Sequence, residues 1–167
     1  MLIAIIVLVA LAGFVVIGFN RLRSSDVGAQ EALGGIDVQL TRRAELIPNL
    51  VETVKGYAAH EKEVLEEVTR ARAAVATAAA GSDVPAKAAA DAELQQSLIR
   101  LNATAEAYPD LKANQNFLDL QQQLADTENQ LAFARTYYND AVASLNKMVV
   151  TIPWMFLTGI AGVKARE

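Results

Sequence analysis

The sequence predicts an all-α protein: an N-terminal transmembrane helix followed by an elongated antiparallel bundle of three long helices and a short C-terminal helix. Three observations predict it. Residues 1–19 carry no charge at all. Beyond them, apolar residues recur every three to four positions, which is the helical period. No run alternates with the period of two that a half-buried strand would need.

The first element is the anchor, residues 1–19. Its apolar side chains include Leu2, Ile5, Ile6, Leu8, Leu11, Phe14, Ile17 and Phe19, and only Gly13 and Gly18 interrupt them. At about 1.5 Å per residue the stretch reaches roughly 28 Å, which matches the hydrocarbon core of a bilayer. A cleaved signal would need a basic region ahead of the apolar run, and only Met1 and Leu2 precede it. Ala10-Leu11-Ala12 has the small-x-small form of a cleavage site, yet cutting there leaves Phe14 to Phe19 apolar beyond it. The segment therefore reads as an uncleaved anchor in a lipid bilayer. The first charges after it are Arg21 and Arg23, followed by Arg42 and Arg43. The positive-inside rule places the bundle in the cytoplasm and Met1 outside.

All 15 basic and 19 acidic residues follow Asn20, giving a net charge of −4. A mildly acidic domain lacks the concentrated basic face that nucleic acid requires. The absence of cysteine excludes disulfides, thiolate nucleophiles and cysteine metal sites.

Glycine and proline then divide the chain. Residues 20–35 form a juxtamembrane joint ending in Gly34-Gly35, residues 36–150 the bundle, and residues 151–167 an apolar C-terminal segment. A first long helix over about 36–79 carries the stripe Ile36, Leu40, Ile47, Leu50, Val54, Ala58, Leu65, Val68 and Val75. Arg42, Arg43, Glu45, Glu52 and Lys55 fall between those positions and form its wet face. Ala80-Gly81-Ser82-Asp83-Val84-Pro85 is a turn with a stop, a cap and a first-turn proline. A second helix, about 86–107, carries Leu94, Leu98, Leu101 and Ala105. After Tyr108-Pro109-Asp110 a third, about 110–150, carries Phe117, Leu120, Leu124, Leu131, Ala134, Tyr138, Val142, Leu145 and Val149 in a coiled-coil-like seam.

Three helices wound up, down and up leave the end of the third pointing away from the membrane. Yet Met148 to Val163 is free of charge. Pro153 turns this segment back as a short helix that hides Trp154, Phe156, Leu157 and Ile160 against the bundle, against a neighbouring subunit or in contact with a second membrane. The favoured solution is a neighbouring subunit, which makes those four residues an assembly element and the protein a homo-oligomer.

No set of residues announces catalysis. His60, Glu63 and Glu67 share a helical face, but a di-iron bundle needs Glu-x-x-His on two helices, and position 57 is Tyr57 with no second histidine. The acidic run Glu61 to Glu67 reads as a solvated face, because acid–base carboxylates need a pocket that separates their pKa values. Neither a metal nor another cofactor is expected. Pro48 removes the hydrogen bond its N–H would give to the Ala44 carbonyl and bends the helix. Asn114, Gln115, Asn116 and Thr127 to Gln130 interrupt the third seam, a device that fixes register.

Several segments go beyond periodicity. Ile36-Asp37-Val38-Gln39-Leu40-Thr41-Arg42-Arg43, then Leu46-Ile47-Pro48-Asn49-Leu50-Val51 through Ala58, then His60-Glu61, resemble the LemA family signature. So do Ala107-Tyr108-Pro109-Asp110-Leu111, Thr127-Glu128-Asn129 and Tyr138-Asn139. The resemblance covers nearly the whole chain and singles out Ile36, Asp37, Arg42, Arg43, Pro48, Asn49, Tyr108 and Pro109. It implies a single-pass protein of the bacterial inner membrane with a helical bundle and no established enzymatic activity. A magnetosome-membrane member of the family implies a role in membrane organisation. The chain departs from the family pattern at Leu33, where Trp is usual, and at Ile152-Pro153-Trp154-Met155 and Gly162-Val163. Two functions are consistent with all this. One is a self-associating scaffold that organises or shapes the membrane; the other is an adaptor docking a membrane protease, transporter or signalling partner through the Arg42/Arg43 to Pro48 region.

Overall fold

A computed structural model describes residues 1–166, and within them the chain is all-helical, with no strand. Its elements are α1 (Leu2–Lys55), α2 (Lys62–Ala80), α3 (Val84–Ala105), α4 (Pro109–Lys112), α5 (Gln115–Val150), a 3-10 turn (Trp154–Phe156) and α6 (Thr158–Ala161). Anchor, joint and the first stretch of bundle are one helix of 54 residues, continuous through Gly34, Gly35 and Pro48.

The helix expected over 36–79 is two helices. After Lys55, the Tyr57 and Ala58 amides both turn back to the Val54 carbonyl, and the Glu61 amide to that of Ala58. Gly56 contributes no side chain to packing, while Ala58 is fully buried inside the turn. That burial keeps the apolar rhythm running across a break in the backbone. The turn expected at residues 80–85 forms as read: Asp83 caps α3 by accepting from the Ala86 amide at 3.2 Å. The third helix starts at Gln115 rather than 110. Asn114 lies outside the seam and caps α5, its Oδ1 accepting from the Phe117 amide at 3.0 Å.

The residues group into two compact units. One comprises Met1–Gly34 and the residues from Ala134 onward; the other comprises Gly35–Phe133. In the second unit, Ile36, Leu40, Ile47, Leu50 and Val54 of α1 are buried, as are Leu65, Val68 and Val75 of α2. Leu94, Leu98 and Leu101 of α3 and Phe117, Leu120, Leu124 and Leu131 of α5 complete its core. Each such side chain contributes about 1.5–3 kcal/mol when fully removed from water. Leu22, Ala29 and Ala32 of α1, Tyr138, Val142 and Leu145 of α5, and Leu157, Ala161 and Val163 are the buried apolar residues of the first unit.

Candidate functional site

The anchor side chains face outward. Leu2, Ile5, Ile6, Leu8, Leu11, Phe14 and Ile17 are exposed, and Phe19 is half-buried. Among the described residues, α1 is the one helix long and apolar enough to cross a membrane, and this stretch fits a membrane anchor.

The C-terminal segment packs on this helix, contrary to the expectation that it points away from the membrane. The Trp154 ring stacks on Phe14, centroids 5.8 Å apart and planes 12° from parallel. The Arg21 guanidinium lies 5.6 Å above the same indole, within cation–π range. Gly18 makes the approach feasible: a Cβ there would overlap Leu157 Cδ1 and come within 2.9 Å of Trp154 Cζ3. Farther along, Asp26 is buried and accepts from Arg166 Nε and Nη2, both at 2.8 Å, while Arg23 approaches at 3.6 Å. Arg166 is also held through its backbone, with Asn146 bonding both its N–H and its carbonyl at 2.9 Å. Of the four predicted assembly residues, Leu157 is buried and Trp154 half-buried in this packing, whereas Phe156 and Ile160 are each 70% exposed.

In the second unit the family-motif residues build a polar framework. Arg43, expected on the wet face, is 2% exposed. Its guanidinium meets Asp91 at 2.6 Å and Glu128 at 2.5 Å, and also donates to Gln95. Leu40, Arg43, Ile47 and Leu50 recur at helical spacing, so Arg43 lies on the core stripe itself. Arg42 is exposed as expected, 3.5 Å from Gln130. Asp37 pairs with buried Lys87 at 2.5 Å, and Lys87 also donates to the Ala78, Ala79 and Gly81 carbonyls that close α2. Cations are favoured at that end of a helix. Pro48 and Asn49 are exposed, and the Asn49 carbonyl accepts from Thr53 Oγ1. Gly34 and Gly35 are helical and half-buried, and a Cβ on either would meet nothing within 4 Å.

The remaining motif residues tie two turns together. Tyr108 Oη donates to Glu61 Oε1 at 2.9 Å, Asn114 Nδ2 to Tyr57 Oη at 2.9 Å, and Asn116 Nδ2 to Thr53 Oγ1 at 2.9 Å. The bond to Glu61 raises the Tyr108 pKa above the ordinary phenol range, with desolvation and the carboxylate's charge adding to it. Pro109 opens α4 immediately after. His60 is exposed in the turn, and no group of three metal-ligating side chains occurs among the described residues.

This unit carries surface concavities. A groove of about 670 Å³ is lined by Val51, Ala59, Leu65 and Ala73, with Lys55, Lys62, Glu66 and Arg70 at its sides. A more polar recess of about 310 Å³ is lined by Arg43, Gln95, Asn102, Gln121, Glu128 and Asn129 among others. Asp26, Lys87, Asp91 and Arg166 were not singled out from sequence. For Asp26 and Lys87 the available signal was spacing: Leu22-Asp26-Ala29 and Lys87-Asp91-Leu94 both step along a buried stripe.

A model of the LemA family matches residues 32–167. The chain belongs to the LemA family. This LemA-family chain is similar to Magnetosome protein MamQ 2 of Paramagnetospirillum magneticum, 23% identical over all of this chain and 70% of that protein. It is 24% identical to Magnetosome protein MamQ of Magnetospirillum gryphiswaldense, covering 99% of this chain and 69% of the relative. Protein LemA of Metamycoplasma hominis is 26% identical over 79% of this chain and 59% of its own length.

Proposed function

We propose that this LemA-family chain is a non-enzymatic single-pass membrane protein, a self-associating helical scaffold that organises or shapes the membrane. The observation that carries the reading is the apolar surface of α1 before Asn20, where Ile3 and Leu11 are 78% and 62% exposed. Water would not tolerate such a surface, and its length suits a bilayer. Outside the anchor, Ile99 and Phe133 are exposed and give a second copy apolar contacts to cover. The buried charges are committed to structural pairs: Arg43 to Asp91 and Glu128, Lys87 to Asp37, Asp26 to Arg166. Similarity to magnetosome proteins supports a role at a membrane compartment.

The bundle faces the cytoplasm in this reading. Exposed Arg21, Arg23, Lys147 and Lys164 all belong to the unit that holds the anchor, which strengthens the positive-inside argument beyond two arginines. Ala76→Cys should resist impermeant thiol reagents in intact cells, and ready labelling would reverse the orientation. Mass photometry of the detergent-extracted protein should show oligomers. A monomer unchanged across concentrations would refute self-association.

The groove beside Val51 and Leu65 favours a second reading, an adaptor docking a membrane protease, transporter or signalling partner. Arg43 is unavailable for such docking because it is buried. Co-purification of one stoichiometric partner, lost in Ala59→Glu with Ala73→Glu, is the outcome that reading requires.

A further inference from the structure

We propose that residues 150–163 form a second membrane contact, a short foot that sinks Ile152, Phe156 and Ile160 into one leaflet beside the anchor. The inference rests on the reading of α1 as membrane-spanning. Four independent features of the segment converge on it.

The first is level. Trp154 stacks on Phe14, and Phe14 lies five residues inside the apolar run that ends at Phe19. Five residues of helix rise roughly 7.5 Å. Trp154, between Phe14 and Arg21, therefore lies at the boundary of the hydrocarbon, and the apolar side chains exposed beside it meet the interface and the outer acyl chains.

The second is what it leaves exposed. Leu157 fills the space at Gly18, while Val150, Ile152, Phe156 and Ile160 are 68–71% exposed. The intramolecular packing thus uses one face of the segment and leaves a second, largely apolar face uncovered. The third is charge. Met148 to Val163 contains none, and exposed Lys147 and Lys164 flank it. Flanking cations with a tryptophan between them are the pattern of an interfacial element, the cations reaching headgroups while the indole holds the boundary.

The fourth is backbone chemistry. Lipid offers no hydrogen bonds, so a segment can enter it only with its polar groups satisfied internally. Here the Met155, Phe156 and Leu157 amides donate to the Thr151, Pro153 and Trp154 carbonyls, and the Ala161 amide to that of Leu157. The two hydroxyls bond back to the local backbone as well, Thr151 Oγ1 to the Lys147 carbonyl and Thr158 Oγ1 to that of Met155. Pro153 brings no N–H that would need a partner.

The test uses the single tryptophan of the chain. In the full-length protein carrying Trp154→Phe, which keeps a ring against Phe14, tryptophan is introduced by Phe156→Trp. A reference protein carries Trp154→Phe with Leu8→Trp. Both are reconstituted into phosphatidylcholine–phosphatidylglycerol vesicles containing phosphatidylcholine with a doxyl label high on the acyl chain. The proposal expects the tryptophan at position 156 to emit at shorter wavelength, to lose most of its emission to the doxyl lipid, and to resist aqueous iodide. Ile160→Trp in the same background should behave alike, which guards against a local defect at one site. If iodide quenches both positions and doxyl lipid does not, the foot lies in water and the proposal fails. Protection from iodide without doxyl quenching, growing with the protein-to-lipid ratio, would instead assign the face to a second copy and equally overturns it. The reference separates the two readings. Doxyl quenching at position 8 without quenching at 156 refutes the foot and leaves the anchor standing, whereas the reverse pattern keeps the foot and refutes the span.

Discussion

Arg72 Nε donates to the Ala44 carbonyl at 3.3 Å, replacing the helical hydrogen bond that Pro48 cannot give. A neighbouring helix thus repairs the defect that a proline leaves in α1, and the repair pins α2 against α1 at that level. The prediction is a coupled pair. Arg72→Ala should cost about 1 kcal/mol, the net worth of a partly buried hydrogen bond. In a Pro48→Ala background, where the backbone supplies its own donor, the same substitution should cost clearly less. A double-mutant cycle by chemical denaturation measures the difference, and equal costs in both backgrounds would dissolve the link.

Arg43 should tolerate no neutral replacement. Arg43→Leu removes the guanidinium from Asp91 and Glu128 together, and breaking a buried pair by deleting one partner costs about 3–5 kcal/mol. Arg43→Lys should recover only part of this, since one ammonium cannot span three acceptors in the fork geometry of a guanidinium. Arg42→Leu, one residue away but exposed, should change stability by less than about 0.5 kcal/mol. Thermal melts of the three variants give the ranking.

The Tyr108–Glu61 bond should appear in a pH titration. A raised folded-state pKa means the fold favours the neutral phenol. Its contribution is therefore complete below the ordinary phenol range and is lost as pH rises through the raised folded value. Glu61→Gln removes the charge and should lower the Tyr108 titration midpoint. Ultraviolet phenolate titration detects this once the other three tyrosines are subtracted with a Tyr108→Phe control.

The glycine pair should be replaceable. Gly34 and Gly35 sit in helix with open space where a Cβ would be, so Gly34→Ala with Gly35→Ala should add up to about 2 kcal/mol of helix stability. Circular dichroism melts of the full chain should move upward. A fall would mean that the pair serves as a close contact with a second molecule.

Gly18 should not be replaceable. Gly18→Leu places a side chain where Leu157 and Trp154 already lie and should unseat the tail, speeding tryptic cleavage after Lys147. Gly13→Leu, with nothing near its Cβ, should leave the digestion unchanged.

The core stripes were legible because burial follows helical spacing: from Ile36 to Val75 and from Phe117 to Leu145, the large apolar residues named from spacing are buried. The turn at residues 56–61 was hidden by the same regularity, since Ala58 continues the stripe while the backbone reverses. Arg43 was misplaced because its charge outweighed its position on the stripe. Long-range pairs such as Asp26 with Arg166 leave no local trace in a single sequence. The packing of the tail on the anchor, Trp154 on Phe14 and Leu157 at Gly18, is a long-range contact of the same kind.

The Asp26–Arg166 bond closes a loop of 140 residues, and it has an implication for how the molecule is made. During synthesis α1 emerges first and can enter its bilayer long before residues 154–166 exist. The surface around Phe14 and Gly18 then stands unfilled throughout translation of α2 to α5. Contacts of such sequence separation form late because the intervening chain must first be ordered. The tail is thus the closing step of assembly, and a nascent chain arrested before Trp154 should be inserted yet open to any molecule that can occupy that vacancy.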